Sequence, residues 1–187
     1  MAATTRVWKV GHMTCARHHP LSSSWALYAH SPSDATTYRS CFAHVCDVAT
    51  CEQWGQMVRH VPAASTLADP TKTMTIHGRP VTSFSLFRDG ITPEWEHPRN
   101  RGGHTLTARF RRTPADCAAL WVDLVAESAR GAFDDGVLGV QLSARHTPSV
   151  VHLKLDVWCE DPTDAPAPLH GWARNVGLSL VRSERRG

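Results

Sequence analysis

Trp95 and Glu96 stand side by side at the end of a turn, closing the run Ser85-Leu86-Phe87-Arg88-Asp89-Gly90-Ile91-Thr92-Pro93-Glu94-Trp95-Glu96. An indole can stack on the face of a purine while a neighbouring carboxylate accepts hydrogen bonds from its edge. A purine methylated at N7 carries a delocalised positive charge, so an electron-rich ring and a nearby carboxylate hold it more strongly than the neutral base. The dipeptide alone has a plain alternative, because most large aromatics in a chain with seven tryptophans are core residues. Its surroundings must decide between the two.

Those surroundings divide into strands and helices by their periods. Residues 21–28 and 38–45 read as short strands flanking a polar loop, 29–37, whose Ser-Pro-Ser-Asp composition is a turn signal. Residues 50–60 read as a helix capped by Thr50 and stopped near Pro62. A second helix runs from Pro114 to Ala129, with Thr113 as N-cap and Pro114 in its first turn. Residues 137–145 and 150–158 read as a hairpin. In its second strand Val151, Leu153, Leu155 and Val157 fall on one face and His152, Lys154, Asp156 and Trp158 on the other, so one face is core and the other lines something polar. Residues 63–80 have neither period and read as a surface loop. The prolines at 162, 166 and 168 forbid a long early helix in the tail, leaving room for a short one over 169–176, and 182–187 reads as a frayed end.

Composition is compatible with one domain: 187 residues, 42% hydrophobic and a net charge of +3. No apolar run is long enough to span a bilayer, and the first residues lack the apolar centre of a secretion signal, so the expected compartment is intracellular. The basic residues are 17 Arg against 3 Lys. Arginine's planar fork suits phosphates, but a codon bias toward Arg and Ala explains the total better, and single positions must carry that argument. Six cysteines form no Cys-x-x-Cys pair. Cys41, Cys46 and Cys51, with His44 nearby, lack the separated ligand pairs of zinc modules, and all six read as reduced thiols; no cofactor is expected.

The order His19-Pro20-Leu21, Trp25-Ala26-Leu27-Tyr28, Thr37-Tyr38, Trp54, then the Trp95-Glu96 run, Arg101-Gly102-Gly103 and Ala119-Leu120-Trp121 resembles the eukaryotic translation initiation factor 4E family over roughly residues 18–158. The resemblance implies an α+β fold: a curved antiparallel β-sheet with about three helices on its convex face and a slot for the 7-methylguanosine mRNA cap on its concave face. It implies a flexible segment at 1–17, a cap-binding domain at 18–181 and a tail at 182–187. Tyr38, where the family usually has Trp, and Trp95 then sandwich the base, each contact contributing about 1–3 kcal/mol. Glu96 accepts from guanine N1 and N2, a charged bond of about 1.5–3 kcal/mol. Arg145 matches a phosphate arginine. The family's Arg-Trp after Arg-Gly-Gly is His104-Thr105 here, and its lysines in the following turn are absent, leaving His152, Lys154, Arg101, Arg99 and Arg109 as candidate donors. The family's methyl-contacting Trp falls on Lys154 by count, with Trp158 four residues on. The resemblance also implies a dorsal docking surface of His19, Pro20, Leu21, Thr50, Trp54, Val122 and Ala126 for a scaffold factor of the 4G type or a repressor peptide. Val122, Ala126 and Thr50 replace larger apolar residues, so the groove is expected to be shallow.

The implied function is binding of capped mRNA in translation initiation or its regulation, without catalysis, in the cytoplasm and with the nucleus as a second compartment. Whether the cap is plain, trimethylated or followed by methylated nucleotides stays open; the loops 29–37 and 63–80 border the slot in family terms and are candidates to read those nucleotides. Two other classes compete. A cap or nucleotide hydrolase needs clustered carboxylates, and the candidates Asp134-Asp135 and Glu160-Asp161 have no recognisable metal spacing; no Walker loop, nucleophile elbow or His-Glu-x-x-His helix occurs. An interaction protein with a degraded slot would bind RNA regardless of cap and with steep salt dependence.

Overall fold

The computed structural model describes residues 19–31, 41–61, 63–69, 71, 73–76, 78–133, 136–147, 151–160 and 166–183. Seven strands form one curved, wholly antiparallel sheet. They are β1 (Pro20–His30), β2 (Phe42–Thr50), β5 (Ser83–Arg88), β6 (His104–Phe110), β7 (Val137–His146), β8 (Val151–Cys159) and β9 (Val181–Ser183), in the spatial order β2-β1-β5-β7-β8-β6-β9. Two-residue strands β3 (Thr75–Ile76) and β4 (Arg79–Pro80) pair separately. The helices are α1 (Cys51–His60), α2 (Ala63–Ala68), α3 (Pro98–Arg101), α4 (Pro114–Ala129) and α5 (Ala167–Asn175).

Alternation along the strands divides the apolar residues into two cores. Leu153, Leu155 and Val157 of β8 and Leu106 and Ala108 of β6 point to the helical side, where Met57 of α1, Leu67 of α2, Leu120, Trp121, Leu124 and Val125 of α4, and Leu169 and Trp172 of α5 pack against them. The opposite parity builds a small second cluster of Ala26, Tyr28, Phe87, Ile91, Leu138 and Trp158, with Phe42 and Trp95 against it. No helical residue belongs to that cluster, so the two sides of the sheet are chemically separate surfaces.

Local signals set the helix ends. Thr50 forms a reciprocal capping box with Gln53, and Thr113 accepts from the Asp116 amide ahead of Pro114. Trp172 of α5 donates from Nε1 to Asp123 of α4 at 2.7 Å, fixing the tail helix to the dorsal layer.

Three sequence expectations differ from what is observed. The second strand, expected over 38–45, runs among the described residues over 42–50, because it continues straight into the cap of α1 and pairs Thr50 with Pro20; residues 38–40 lie outside the described residues. The 63–80 segment is not merely a surface loop: α2 buries Leu67 and Ala68 against the main core, a tertiary gain that a six-residue stretch cannot announce through its period. Arg182 and its neighbours, expected to fray, form β9 on the edge of β6.

Candidate functional site

The Trp95-Glu96 segment leaves β5 through a turn in which the Ile91 amide donates to the Arg88 carbonyl and the Asp89 amide to Ser24 of β1. The loop is then clamped from within. Asn100, 1% exposed on α3, donates its side-chain amide to the carbonyls of Thr92 (2.8 Å) and Glu94 (2.6 Å). Thr92 Oγ1 donates to buried Glu94, and His97 bonds the Gly90 carbonyl through Nε2 at 3.0 Å. Arg99 makes a two-pronged ion pair with Glu160 at the end of β8, which holds that carboxyl below its ordinary range. Gly103 completes the attachment: a Cβ there would lie 1.9 Å from the Cys159 carbonyl, so the Arg-Gly-Gly motif permits a backbone approach. Trp95 is thereby presented half-exposed and Glu96 exposed.

Trp158 is the residue that sequence reading undervalued. Its ring lies 3.8 Å from that of Trp95, 27° from parallel, and is 4% exposed. Phe87 meets it edge-on at 5.3 Å. Opposite both, Gly139 leaves space for Phe87, whose ring would stand 2.6 Å from any Cβ at that position. One face of Trp95 is covered by Trp158. A base stacking on Trp95 has the other.

From this aromatic end the concave face grows polar and then cationic. One cross-strand row holds Tyr28, Ser85, Gln141, Asp156 and Thr107, and the next holds His30, Ser83, Ser143, Lys154 and Arg109. Asp156 accepts from Thr107 Oγ1 (2.6 Å) and pairs with Lys154 Nζ (2.6 Å). Burial lowers the His30 pKa to about 4, and its Nε2 is bonded to Ser85 Oγ at 2.7 Å, so this imidazole is neutral at ordinary pH. Lys154 lies four residues from Trp158, about 13 Å along the strand, and Arg145 six from Gly139, about 20 Å. Arg145, His152, Lys154 and Arg109 share one cleft of about 700 Å³.

The other candidates scatter. His104 is buried and shares the strand parity of Leu106 and Ala108, on the core side and away from Arg145. Arg101 is exposed at the C-terminal end of α3, beside the clamped loop. Arg99 is engaged by Glu160. Tyr38 lies outside the described residues. On the dorsal side His19, Pro20 and Leu21 meet the start of α1: the Cys51 amide donates to the His19 carbonyl, and His19 Nδ1 bonds Glu52 at 2.6 Å. Ser22 Oγ donates to the Ala129 carbonyl of α4, whose Val122 and Ala126 are partly exposed, as are Thr50 and Trp54. Trp54 Nε1 has no hydrogen-bond partner among the described residues. Also among the described residues, no group of three or more His, Cys, Asp or Glu side chains is placed to hold a metal ion, and no helix is long and apolar enough to cross a membrane.

A sequence model of the family described as Eukaryotic initiation factor 4E matches residues 20–170. The chain belongs to that family. Among initiation factor 4E relatives, the zebrafish (Danio rerio) eukaryotic translation initiation factor 4E-1A is 28% identical over 90% of this chain and 71% of its own length. The rice (Oryza sativa subsp. japonica) translation initiation factor NCBP is 29% identical over 81% of this chain and 62% of its own. The Ascaris suum eIF4E-3 complex with an m2,2,7G cap superimposes with a TM-score of 0.72 at 18% identity, covering 91% of this chain and 94% of that one. The Caenorhabditis elegans eIF4E-3 complex with the 4E-binding protein Mextli and a cap analogue gives 0.70 at 20% identity, covering 89% and 92%. These likenesses establish the initiation factor 4E fold for the seven-stranded sheet.

Proposed function

We propose that this initiation factor 4E family member binds the 7-methylguanosine 5′ cap of mRNA on the concave face and acts in translation initiation or its regulation, in the cytoplasm, as a binding protein without catalysis. The observation that carries the reading is Trp95, half-exposed on a buried partner ring, with exposed Glu96 next to it on a loop that Asn100 clamps. Such a loop presents ring and carboxylate with little left to order on binding. A cationic methylated base takes the outer face of Trp95, Glu96 takes its N1 and N2 edge, and the triphosphate runs toward Lys154 and Arg145. Tyr38, which lies outside the described residues, is by the family resemblance the second ring of the sandwich. Arg101 and His152 remain candidate phosphate neighbours, whereas His104, buried on the core side, does not. A relative is seen with a trimethylated cap and another with a 4E-binding protein; by extension, the surface of His19, Pro20, Leu21, Thr50, Trp54, Val122 and Ala126 takes a scaffold or repressor peptide.

Quenching of tryptophan fluorescence by 7-methyl-GTP and by GTP at equal salt tests the reading. Saturable quenching that prefers the methylated nucleotide, and disappears in Trp95→Ala, supports it. Equal weak responses to both nucleotides overturn it.

A further inference from the structure

The bonds inside the loop that carries Trp95 and Glu96 hold its shape but not its place. Asn100 bonds the Thr92 and Glu94 carbonyls and His97 bonds the Gly90 carbonyl, so these contacts join residues 90–100 to one another and would move with the loop. Arg99 reaches outside it. Its Nε and Nη2 both donate to the Glu160 carboxylate, the Nη2 bond at 2.6 Å, and Glu160 stands two residues beyond Trp158. Glu160 is itself fixed: it follows β8 directly, and its amide donates to the Gly136 carbonyl at 2.8 Å. Hydrogen bonding from Arg99 holds the carboxyl below its ordinary range, and the Arg88 charge adds to that effect. A two-pronged pair fixes angle as well as distance, which a single bond does not. Both side chains are about half exposed, at 51% and 42%, and pairs so open to water add little to overall stability. What this one fixes is position: it joins α3 to the strand whose Trp158 ring lies 3.8 Å from that of Trp95.

We infer that Arg99 and Glu160 form a latch that sets where the loop places Trp95 and Glu96, and that both are positioning residues for the base site, acting through the loop and not on the ligand. The ligand half of this inference rests on the cap reading; the stacking half concerns the ligand-free chain and stands without it. Engagement by Glu160 also takes Arg99 out of the set of free phosphate donors.

Arg99→Gln, Glu160→Gln and the double variant test the latch, each compared with wild type by near-ultraviolet dichroism without ligand, by urea melts and by titration with 7-methyl-GTP. Each single variant should lose much of the dichroism of the Trp95 and Trp158 pair and bind 7-methyl-GTP about three- to tenfold more weakly, as a loosened ring pair implies, with its melting midpoint unchanged. The double variant should lose no more than either single, because both remove one interaction. Arg99→Lys, which keeps the charge but not the fork, should recover part of both signals. Weaker binding in Arg99→Gln together with tighter binding in Glu160→Gln overturns the latch, because Arg99 is then a phosphate donor for which Glu160 competes. Losses that add in the double variant overturn it, as do unchanged dichroism and affinity in both singles. So does a drop in melting midpoint that tracks the lost affinity, the mark of a purely structural pair. Loss of dichroism in both variants, in a chain whose wild type gives no response to 7-methyl-GTP, supports the latch and removes the cap reading.

Discussion

Replacing Trp158 by Phe separates what its ring does for stability from what it does for the ligand. The side chain is almost wholly buried, yet its Nε1 finds no acceptor among the described residues. Going from indole to phenyl gives up about 1 kcal/mol of apolar burial. It also removes a buried, unbonded donor, whose desolvation costs about 1–3 kcal/mol. The two terms oppose each other, so stability to urea should stay within about 1 kcal/mol of wild type, whereas truncation to Ala should cost about 3–5 kcal/mol. The stack is a different matter. An aromatic pair at 3.8 Å contributes about 0.5–1.5 kcal/mol beyond burial, and a smaller ring gives Trp95 a looser seat. Affinity for 7-methyl-GTP should therefore fall about three- to tenfold in Trp158→Phe at nearly unchanged stability. Urea melts and nucleotide titrations on the same preparation read both, and the near-ultraviolet dichroism of the paired indoles should vanish. A loss of stability above about 3 kcal/mol would show that the indole N–H is paired after all. Unchanged affinity would show that Trp158 does not seat Trp95.

Further tests address the loop and the acid limb. Glu96→Gln should weaken 7-methyl-GTP by about 10- to 150-fold while leaving melting unchanged, because Glu96 is exposed and its charge serves the ligand; titration of the variant checks this. Asn100→Ala removes two buried hydrogen bonds that hold the Thr92 and Glu94 carbonyls, and should cost about 2 kcal/mol in urea melts together with a measurable loss of nucleotide affinity. His30 has a folded pKa of about 4 against an ordinary 6.5, lowered by burial, so the unfolded chain binds more protons between those values. Its contribution is present above pH 6.5 and is lost as pH falls toward 4, by about 3 kcal/mol in all; melts from pH 7 to 4 of the wild type against His30→Gln measure it.

Much of this fold was legible because its signals are local. Thr50, Thr113 and Pro114 announce helix starts whatever lies above them, and the period of two in β8 places Leu153, Leu155 and Val157 on the core side. What escaped depended on distant partners. α2 is too short to show a period and exists through the burial of Leu67 and Ala68, and β9 exists because β6 offers an open edge. The loop clamp shows the same limit at the site: Trp95 and Glu96 can be read as a pair, but Asn100 earns its place only once α3 folds back beneath the loop.

Trp158 shows how counting and register answer different questions. Counting along β8 puts Lys154 where a methyl-contacting ring is expected and leaves Trp158 four residues out of place. Parity already put Lys154, Asp156 and Trp158 on one face. What counting could not supply is which of them lies under the loop, because that depends on the pairing of Trp158 with Gly139 and Thr105 and on the turn that folds Trp95 back over β8. With that register, the aromatic and cationic positions on β8 sort themselves into two ends of one surface. Trp158 stands beside Phe87 at the apolar end and Lys154 beside Arg109 at the charged end. A ligand with a flat cationic base at one end and a chain of phosphates at the other matches that order in one direction only. Reversed, it would set its phosphates against Glu96 and the aromatic stack, and its cationic base among Arg109, Arg145 and Lys154. Both ends of the sheet oppose the reversed orientation, so polarity of binding is built into the strand register as much as into any single contact.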